Sequence, residues 1–568
     1  MGGGGPISPI GAAGRASQYK GGMTTSVMFI AVVAASGGLL FGYDLGVTGG
    51  VEASDSFLSK FFPGTYEAKQ AAADDYNPYC MFDDQLLALF TSSLFIAGMV
   101  MAPVASVVTR KWGRKVTMLM GGLWFLLGST LNAAAQNLAM LILGRICLGF
   151  GIGCANQSVP LYLSEMAPSK YRGGLNMMFQ LATTIGILVA QLINYAVQDW
   201  DEGWRLSLGL GAVPACILTL GSIILPDSPN SLIERGKNEQ GRKVLARIRG
   251  TQQVDAEYED ICEAAASATK VTHAQAWRNL FRRHYRPSLV LATWIPTFQQ
   301  WTGMNAIMFY VPILFSSLGT GQKGALLNAV IIAGVNLIST FVAILLVDKA
   351  GRRKLFLSGG LQMFTAQIAV GILLGVSFST YNTSNLPESI TYVALVLICI
   401  FVAGFAYSWG PLTWLVPSEI QTLETRSAGF SLSVSMNFLF SFVLGQCFLT
   451  MLCSMEYGVF LFFAAMVAIM TAFVFVLVPE TKGVPMEEIY TVYCEHKVWG
   501  KVIGPEAVEA TMALAATNSG SMALAAAEMA LAKPSPKFSH STTKSTPRGS
   551  EDAAPDAAAA DALPVSKE

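Results

Sequence analysis

The stretch SGGLLFGYDLG, residues 36–46, places an acidic residue, Asp44, inside an apolar, glycine-rich segment that runs from Val27 to Val47. A segment of this length is typical of a membrane-spanning helix. A carboxylate at that depth costs roughly 2.5–3.5 kcal/mol on insertion scales, and membrane proteins carry one mainly where it moves protons or ions or pairs with a buried cation. One candidate cation is Arg145, in the apolar run 138–161. The two residues together predict a carrier that couples transport to protons.

The rest of the chain repeats this apolar pattern. Of its 568 residues, 52% are hydrophobic and 13% are charged, against about 25% charged residues in soluble domains. Lipid-spanning segments need internal backbone hydrogen bonds, and these blocks are too long and too uniformly apolar for barrel strands. We therefore predict an all-α integral membrane protein with twelve transmembrane helices, from apolar blocks at about 27–48, 85–108, 116–135, 138–161, 175–198, 205–225, 288–316, 325–347, 355–377, 390–414, 428–452 and 457–478.

The charges predict orientation and exclude some classes of partner. The formal net charge is zero, so no attraction to nucleic acid is expected. Lys and Arg cluster in alternate loops, as at 110–115 and 349–354, which places both termini in the cytosol by the positive-inside rule. The four histidines are scattered, so no metal site is predicted. No hydrolase triad or nucleotide-binding loop stands out, which predicts a transporter without a cofactor rather than an enzyme.

A polar insert at residues 226–287 divides the chain into two halves of six spans each, residues 27–225 and 288–478. Residues 1–26 are glycine-rich and expected to be flexible. The cytosolic tail, 479–568, is rich in Ala, Ser, Thr and Pro toward its end, and we expect it to be disordered beyond about residue 501.

The two halves resemble each other in sequence. Two parallel six-span repeats predict a rocking carrier whose binding site lies at the membrane midplane between the halves. Three pairs of matching motifs occur in the same order: VTRKWGRKV (108–116) with LVDKAGRRKL (346–355), YLSEMAPSKYRGG (162–174) with LVPSEIQTLETRSAG (415–429), and PDSP (226–229) with PETKG (479–483).

The repeated motifs carry opposite charges that predict an ion-pair lock at the cytosolic side, holding one conformation. The alternative is that the basic residues only anchor the loops in the cytosol. Because both the cations and the carboxylates are duplicated, we favour the lock. Its members are Arg114, Glu165, Arg172, Arg352, Glu419 and Arg426.

Amide side chains within the spans predict a binding site for a neutral, polyhydroxylated ligand, because amides both donate and accept hydrogen bonds. Gln299 and Gln300 can share a helix face with Asn305 only if the seventh span breaks near Gly303. The alternative is that the amides only join helices to one another. The set as a whole favours a site made by Gln180, Gln299, Gln300, Asn305, Asn336 and Asn437, with Trp414 offering a flat face to sugar C–H groups.

Two cysteines are expected on the outer side of the membrane. Cys80 lies in the long, aromatic first outer loop, residues 49–84, which we expect to fold as a small cap, and Cys453 lies at the outer end of the eleventh span. An oxidising compartment permits a disulfide between them. The sequence leaves open the alternative of two unrelated cysteines, because the geometry of the pair is unknown.

Eight motifs together resemble the sugar-porter family of the major facilitator superfamily, and the match is closer still to plant and green-algal monosaccharide/proton symporters. The resemblance covers about residues 20–500. The motifs are GGLLFGYD (37–44), WGRK (112–115), LGR (143–145), PDSP (226–229), FQQWTGMNAIMFYVP (298–312), DKAGRRK (348–354), WGPLTWLVPSEI (409–420) and PETKG (479–483).

The resemblance implies a twelve-helix fold, alternating access, and D-glucose or a related hexose as substrate, carried with protons. It implies the plasma membrane as the location, with the vacuolar membrane as the alternative. We expect the protein to function as a monomer. The resemblance implies proton coupling at Asp44, opposed by Arg145. It also implies that the first outer loop is a lid tied by a disulfide between Cys80 and Cys453. The sugar contacts that it implies are Gln180, Ile187, Gln299, Gln300, Asn305, Asn336, Trp414 and Asn437.

Two other functions fit the same motifs. A facilitative uniporter shares the fold but needs no acid at position 44, and the resembling uniporters typically lack one. A sugar sensor would bind sugar and signal through the long tail, in which no interaction motif is recognisable. We therefore predict a proton symporter.

Overall fold

A computed structural model of the chain describes residues 21–71, 80, 82–168, 171–269, 271–317, 321–380, 387–422, 424–482, 484, 489–506 and 508–509. Of the segment 1–26 that we expect to be flexible, residues 1–20 lie outside the described residues, and a helix already begins at Thr25. Of the tail that we expect to be disordered beyond about residue 501, residues 501–506 and 508–509 are described, and the helix Trp499–Ile503 extends into it, which corrects the expected boundary. The rest of the tail lies outside the described residues. Within the described part of the chain, every regular element is a helix.

The first half of the chain forms six spans. The sixth span consists of two helices, α8 and α9, and two short helices, α2 and α3, follow the first span. The helices are α1 (Thr25–Glu52), α2 (Asp55–Phe61), α3 (Pro63–Ala71), α4 (Gln85–Trp112), α5 (Arg114–Ala133), α6 (Leu138–Met166), α7 (Arg172–Val197), α8 (Gly203–Gly209) and α9 (Ala212–Ile224).

The polar insert forms four short helices before the second half begins. These are α10 (Pro229–Glu234), α11 (Asn238–Arg249), α12 (Asp255–Thr269) and α13 (His273–Leu280). The guanidinium of Arg249 donates to the carbonyls of Met166 and Ala167, at the end of α6, at 2.9 and 3.1 Å. The insert is thereby fixed to one end of the first bundle, which we call the insert end.

The second half forms the remaining spans and two short helices after them. The helices are α14 (Arg286–Trp301), α15 (Met304–Ser317), α16 (Gly321–Ala350), α17 (Arg352–Thr380), α18 (Glu388–Tyr407), α19 (Trp409–Glu419), α20 (Arg426–Met455), α21 (Gly458–Leu477), α22 (Ile489–Glu495) and α23 (Trp499–Ile503).

Twelve spans are confirmed, and three of them, the sixth, seventh and tenth, consist of two helices each. Eleven helical segments of the described chain are long and apolar enough to cross a membrane. The remaining span, the seventh along the chain, is the pair α14 and α15, which are too short to cross alone. They meet at Gly303, whose φ of 78° favours glycine. The break therefore falls where the sequence predicted it. The tenth span also breaks, at Ser408 between α18 and α19.

The two bundles meet along two pairs of helices, α4 against α20 and α7 against α16. At the insert end, the Ser106 hydroxyl donates to the Ser427 carbonyl at 2.9 Å. At the opposite end, the Ser92 hydroxyl donates to the Gln446 side-chain oxygen at 2.8 Å. The bundles are thus joined on both sides of the membrane midplane.

The opposite end carries the lid and is called the lid end here. Phe57 and Phe61 of α2 pack against Trp204 of α8, with ring centroids 5.7 and 5.3 Å apart. A disulfide joins Cys80, in the loop before α4, to Cys453 of α20. The disulfide implied by the resemblance is therefore present, and it ties the lid of the first half to the second half.

Candidate functional site

The most deeply buried charged pair of the first half is Asp44 of α1 and Arg145 of α6. Arg145 Nη1 lies 2.6 Å from an Asp44 carboxylate oxygen, and its side chain has no exposed surface. Its second terminal nitrogen donates to the Thr48 hydroxyl at 2.9 Å. The guanidinium lies over the ring of Phe90, 4.0 Å from the centroid, so a cation–π contact adds to the ion pair.

Glycines allow α1 to lie close enough to its neighbour α7 to bury this pair. Added Cβ atoms at Gly38, Gly42 and Gly46 would lie 2.2, 1.9 and 2.7 Å from backbone oxygens of α7. The glycines are four residues apart and therefore share one face, which is the arrangement by which small residues bring membrane helices together. Asp44 lies between two of them in sequence and is turned away from α7 toward α6.

Four of the predicted amide side chains form one hydrogen-bonded cluster in the second half. Gln300 donates to Gln299 at 2.6 Å, Asn305 donates to Gln300 at 2.8 Å, and Asn437 of α20 donates to Gln299 at 2.9 Å. The break at Gly303 makes this possible, because it carries Asn305 of α15 back beside the end of α14. An amide cluster of this kind can exchange its internal hydrogen bonds for those of a hydroxylated ligand.

Aromatic rings connect the amide cluster to the helix that carries Asp44. Phe41 lies one turn before Asp44 on α1, and its ring centroid is 6.2 Å from those of Trp414 and Phe438. Trp414 belongs to α19, and Phe438 directly follows Asn437 of the cluster. A shift of α1 is therefore transmitted by direct contact to the second half.

The remaining predicted ligand contacts are buried side chains of α7 and α16. Gln180 and Ile187 are buried on α7, and Asn336 is buried on α16. The Asn336 side-chain oxygen has no hydrogen-bond partner among the described residues. Since α7 and α16 pack against each other across the two halves, these side chains lie on the helices that form the interface.

The charged residues of the first repeat meet at the insert end. Arg114 binds Glu165 at 2.7 Å and Glu234 of the insert at 2.8 Å. Burial, the largest single influence, acts to raise the pKa of Glu234, but the charge and hydrogen bond of Arg114 together with the charges of Arg426 and Arg110 lower it by more, so the pKa lies below its ordinary value and Glu234 stays ionised. Arg426 of the second half lies 3.9 Å from Glu165, which makes this an ion pair between the halves.

The second repeat forms the matching pair. Arg352 binds Glu419 at 2.8 Å and Asp348 at 3.2 Å, and Thr481 donates to Glu419 at 2.8 Å. Arg172, the sixth residue of the predicted lock, has its Nε buried without a hydrogen-bond partner among the described residues. Five of the six predicted residues are therefore in ion pairs, and Arg172 is in none that joins described residues.

Sequence reasoning missed two carboxylates that hold the repeated arginines in place. The Asp227 carboxylate accepts the backbone N–H of Arg114 at 3.2 Å, and the Glu480 carboxylate accepts that of Arg352 at 2.9 Å. Each therefore binds the N-terminus of a helix, where negative charge is stabilising. The signal was present, because Asp227 and Glu480 occupy matching places in the repeated PDSP and PETKG motifs.

Comparison with known proteins identifies a family of similar proteins, and the similarity covers most of the chain. A sequence profile of the family described as Sugar (and other) transporter matches residues 30–493. H(+)/hexose cotransporter 2 of Parachlorella kessleri is 57% identical over 526 residues, covering 92% of this chain and 97% of the relative. Sugar transport protein 10 of Arabidopsis thaliana is 54% identical over 509 residues, covering 89% and 98%.

Solved structures agree with this assignment. The fold matches a structure of the major facilitator superfamily proton:xylose symporter XylE bound to 6-bromo-6-deoxy-D-glucose. The TM-score is 0.70 and the sequence identity 26%, over 82% of this chain and 98% of that chain.

Proposed function

We propose, from the premise that this chain belongs to the sugar transporter family, that it carries hexoses such as D-glucose together with protons by alternating access. The observation that carries the proposal is that α1 holds both Asp44, paired with Arg145, and Phe41, which contacts Trp414 and Phe438 beside the amide cluster. One helix thus connects a group able to bind a proton with a group of side chains able to bind a sugar.

The proposed cycle begins with Asp44 and Arg145 paired and the amide cluster free of sugar. A proton from the outer medium neutralises Asp44, which weakens its attraction to Arg145 and frees α1 to move relative to α6. Sugar hydroxyls replace the internal hydrogen bonds of Gln299, Gln300, Asn305 and Asn437. The bundles then rock, sugar leaves inward, Asp44 loses its proton, and the ion pair re-forms.

In this proposal the ion pairs at the insert end hold the bundles together while the opposite side opens. Glu165 is central to them, because it binds Arg114 of its own half and lies near Arg426 of the other half. Opening toward the insert end requires the separation of Glu165 from Arg426. The pairs Arg114–Glu165 and Arg352–Glu419 each lie within one half and travel with it.

We assign the insert end to the cytosol, with both termini there, and the protein to the plasma membrane as a monomer. The clusters of Lys and Arg at that end support this orientation, and the disulfide at the lid end supports an oxidising outer side. A membrane potential of 100 mV contributes about 2.3 kcal/mol per charge. With one proton carried per sugar, that energy supports roughly 50-fold accumulation.

The test is glucose uptake into liposomes that contain the purified protein, with an inward proton gradient imposed and then collapsed by an uncoupler. Accumulation above the outside concentration that disappears with the uncoupler supports proton symport. Equilibration without accumulation would identify a uniporter and contradict the proposal. Glucose binding without any flux would point to a sensor, and an absence of both would require a different substrate.

A further inference from the structure

Glu52, the last residue of α1, is a second buried acid for which the proposed cycle has no role. Its side chain has no exposed surface. Asp44, Thr48 and Glu52 are four residues apart, so they follow one another along one face of α1. Glu52 lies about 12 Å further toward the lid end than Asp44, given the helical rise per residue. A proton that enters from the lid end therefore reaches Glu52 before Asp44.

Glu52 and Arg145 each have one buried polar atom without a hydrogen-bond partner among the described residues. One carboxylate oxygen of Glu52 accepts the hydroxyl of Thr91. The other oxygen is buried without a partner among the described residues, and so is the Nε of Arg145. An ionised carboxylate with a bare, buried oxygen is costly. Glu52 is therefore neutral in this conformation, and the one ionised acid beside Arg145 is Asp44.

The charge of Arg145 needs a buried counter-ion when Asp44 takes up a proton, and Glu52 can supply it. If Glu52 stayed neutral, Arg145 would remain as a buried cation without a counter-ion, which is strongly unfavourable. If Glu52 gives up its proton, Arg145 gains a new anionic partner and the buried charge does not change. Arg145 already reaches toward Glu52, because it donates to Thr48, one turn from Glu52.

We propose that Glu52 is a second proton-binding site, which takes up protons from the outer side and passes them to Asp44. This inference rests on the proposed function. In the transfer, the O–H bond of Glu52 breaks, water molecules relay the proton, and an O–H bond forms on Asp44. The negative charge passes from Asp44 to Glu52. Arg145 then changes its partner to an acid about two turns further along α1, so α1 shifts relative to α6. After Asp44 has released its proton inward and the lid end has opened again, Glu52 takes up the next proton from outside.

The surroundings of Glu52 connect its charge to closure of the lid end. The charged or titratable groups of the described chain within electrostatic range of Glu52 are Asp44, Arg145 and the Tyr310 hydroxyl. Tyr310 belongs to α15 of the second half, and its hydroxyl donates to the Gly445 carbonyl at 3.2 Å. Next to it, the Phe309 carbonyl lies 1.9 Å from where a Cβ on Gly49 would be. Glu52 thus lies where the two halves touch at the lid end.

The first test is the pH dependence of glucose uptake by Glu52→Gln in liposomes. We expect half-maximal uptake to require an outer pH about one unit more acidic than in the wild type, a tenfold change in proton concentration, with glucose exchange retained at acidic pH. The matched control is Glu67→Gln, the same change at an exposed position of α3. A pH dependence identical to that of the control would overturn the inference, as would loss of exchange in a folded variant, because a structural role would then suffice.

A second test does not depend on whether Glu52→Gln folds. Infrared spectroscopy of wild type and Asp44→Asn at neutral pH reports protonated carboxyl groups. We expect the asparagine variant to lose one protonated carboxyl band, although Asp44 itself is ionised in the wild type, because Glu52 becomes the counter-ion of Arg145. An unchanged band would contradict the inference. Wild-type protein that fails to accumulate glucose would instead contradict the proposed function, so the two failures are distinguishable.

Discussion

The two halves of the molecule share a fold and a repeated ion pair but differ in the polar side chains buried within their spans. The first half buries charges, Asp44 and Arg145. The second half buries neutral amides around a broken helix, Gln299 and Gln300 with their partners. Buried charges respond to protonation, whereas amides exchange hydrogen bonds without a change in charge. The two halves thus share a common frame, and in the proposed function they are specialised for different ligands, the first for protons and the second for sugar.

The largest effect that tests this division is expected from Asp44→Asn. Because asparagine cannot bind and release a proton, proton-driven accumulation of glucose should disappear, a loss of roughly 50-fold at 100 mV. Glucose exchange should persist, because the amide cluster is intact. Uptake into liposomes with and without a gradient measures both. Accumulation retained by this variant would remove Asp44 from the coupling mechanism.

In the second half, the expected effect of Gln300→Ala is on sugar affinity. The variant removes the hydrogen bonds to Gln299 and Asn305, at a cost of about 1–3 kcal/mol, or roughly 5- to 150-fold in glucose affinity. Proton coupling should remain at saturating glucose. Gln362→Ala is the matched control, because Gln362 is an amide of the same half that binds the Ile400 carbonyl outside the cluster. Equal effects of the two variants on glucose affinity would contradict the assignment of the site.

The repeated ion pairs allow a direct comparison between the halves, Glu165→Gln against Glu419→Gln. Only the Glu165 variant removes the counter-ion of Arg426 across the interface. We expect it to open the insert end about tenfold more often, which corresponds to about 1.4 kcal/mol, with a smaller effect from Glu419→Gln. Labelling of a cysteine introduced at the buried position Ser106 measures the opening. Equal labelling in the two variants would show that the cross-interface pair has no special role.

The smallest effect concerns stability rather than transport. Burial, with the nearby Arg282 charge adding to it, lowers the pKa of His284 to about 4, against an ordinary value of about 6.5. Between about pH 6.5 and 4 the unfolded chain therefore binds more protons than the folded chain. The stability that depends on neutral His284 is present above about pH 6.5 and decreases as the pH falls toward 4. Thermal unfolding of His284→Gln should show a weaker decline over that window. The dependence of uptake on outer pH should be unchanged, because His284 lies at the insert end.

The sequence predicted the spans and the residues of the candidate site, because apolar length and polar residues within apolar segments are local properties. The ligand-binding roles of those residues stay predictions. The break at Gly303 was predictable because, in an unbroken helix, Asn305 and Gln300 would not lie on the same face. Glu52 was missed because it lies just after the apolar block 27–48, at a position that the hydropathy pattern assigns to a loop. In the structure, α1 extends as far as Glu52. Which amides touch each other, and the absence of an ion pair between Arg172 and another described residue, depend on helix rotation and packing, which a hydropathy pattern does not contain.

The most direct test of the division between the halves is proton movement driven by glucose alone. Glucose is added outside liposomes that contain the protein and an internal pH indicator, with no gradient imposed beforehand. For the wild type we predict acidification of the interior on addition of glucose, and for Asp44→Asn glucose entry without acidification. Acidification by the Asp44→Asn variant, or glucose entry without acidification by the wild type, would contradict the account.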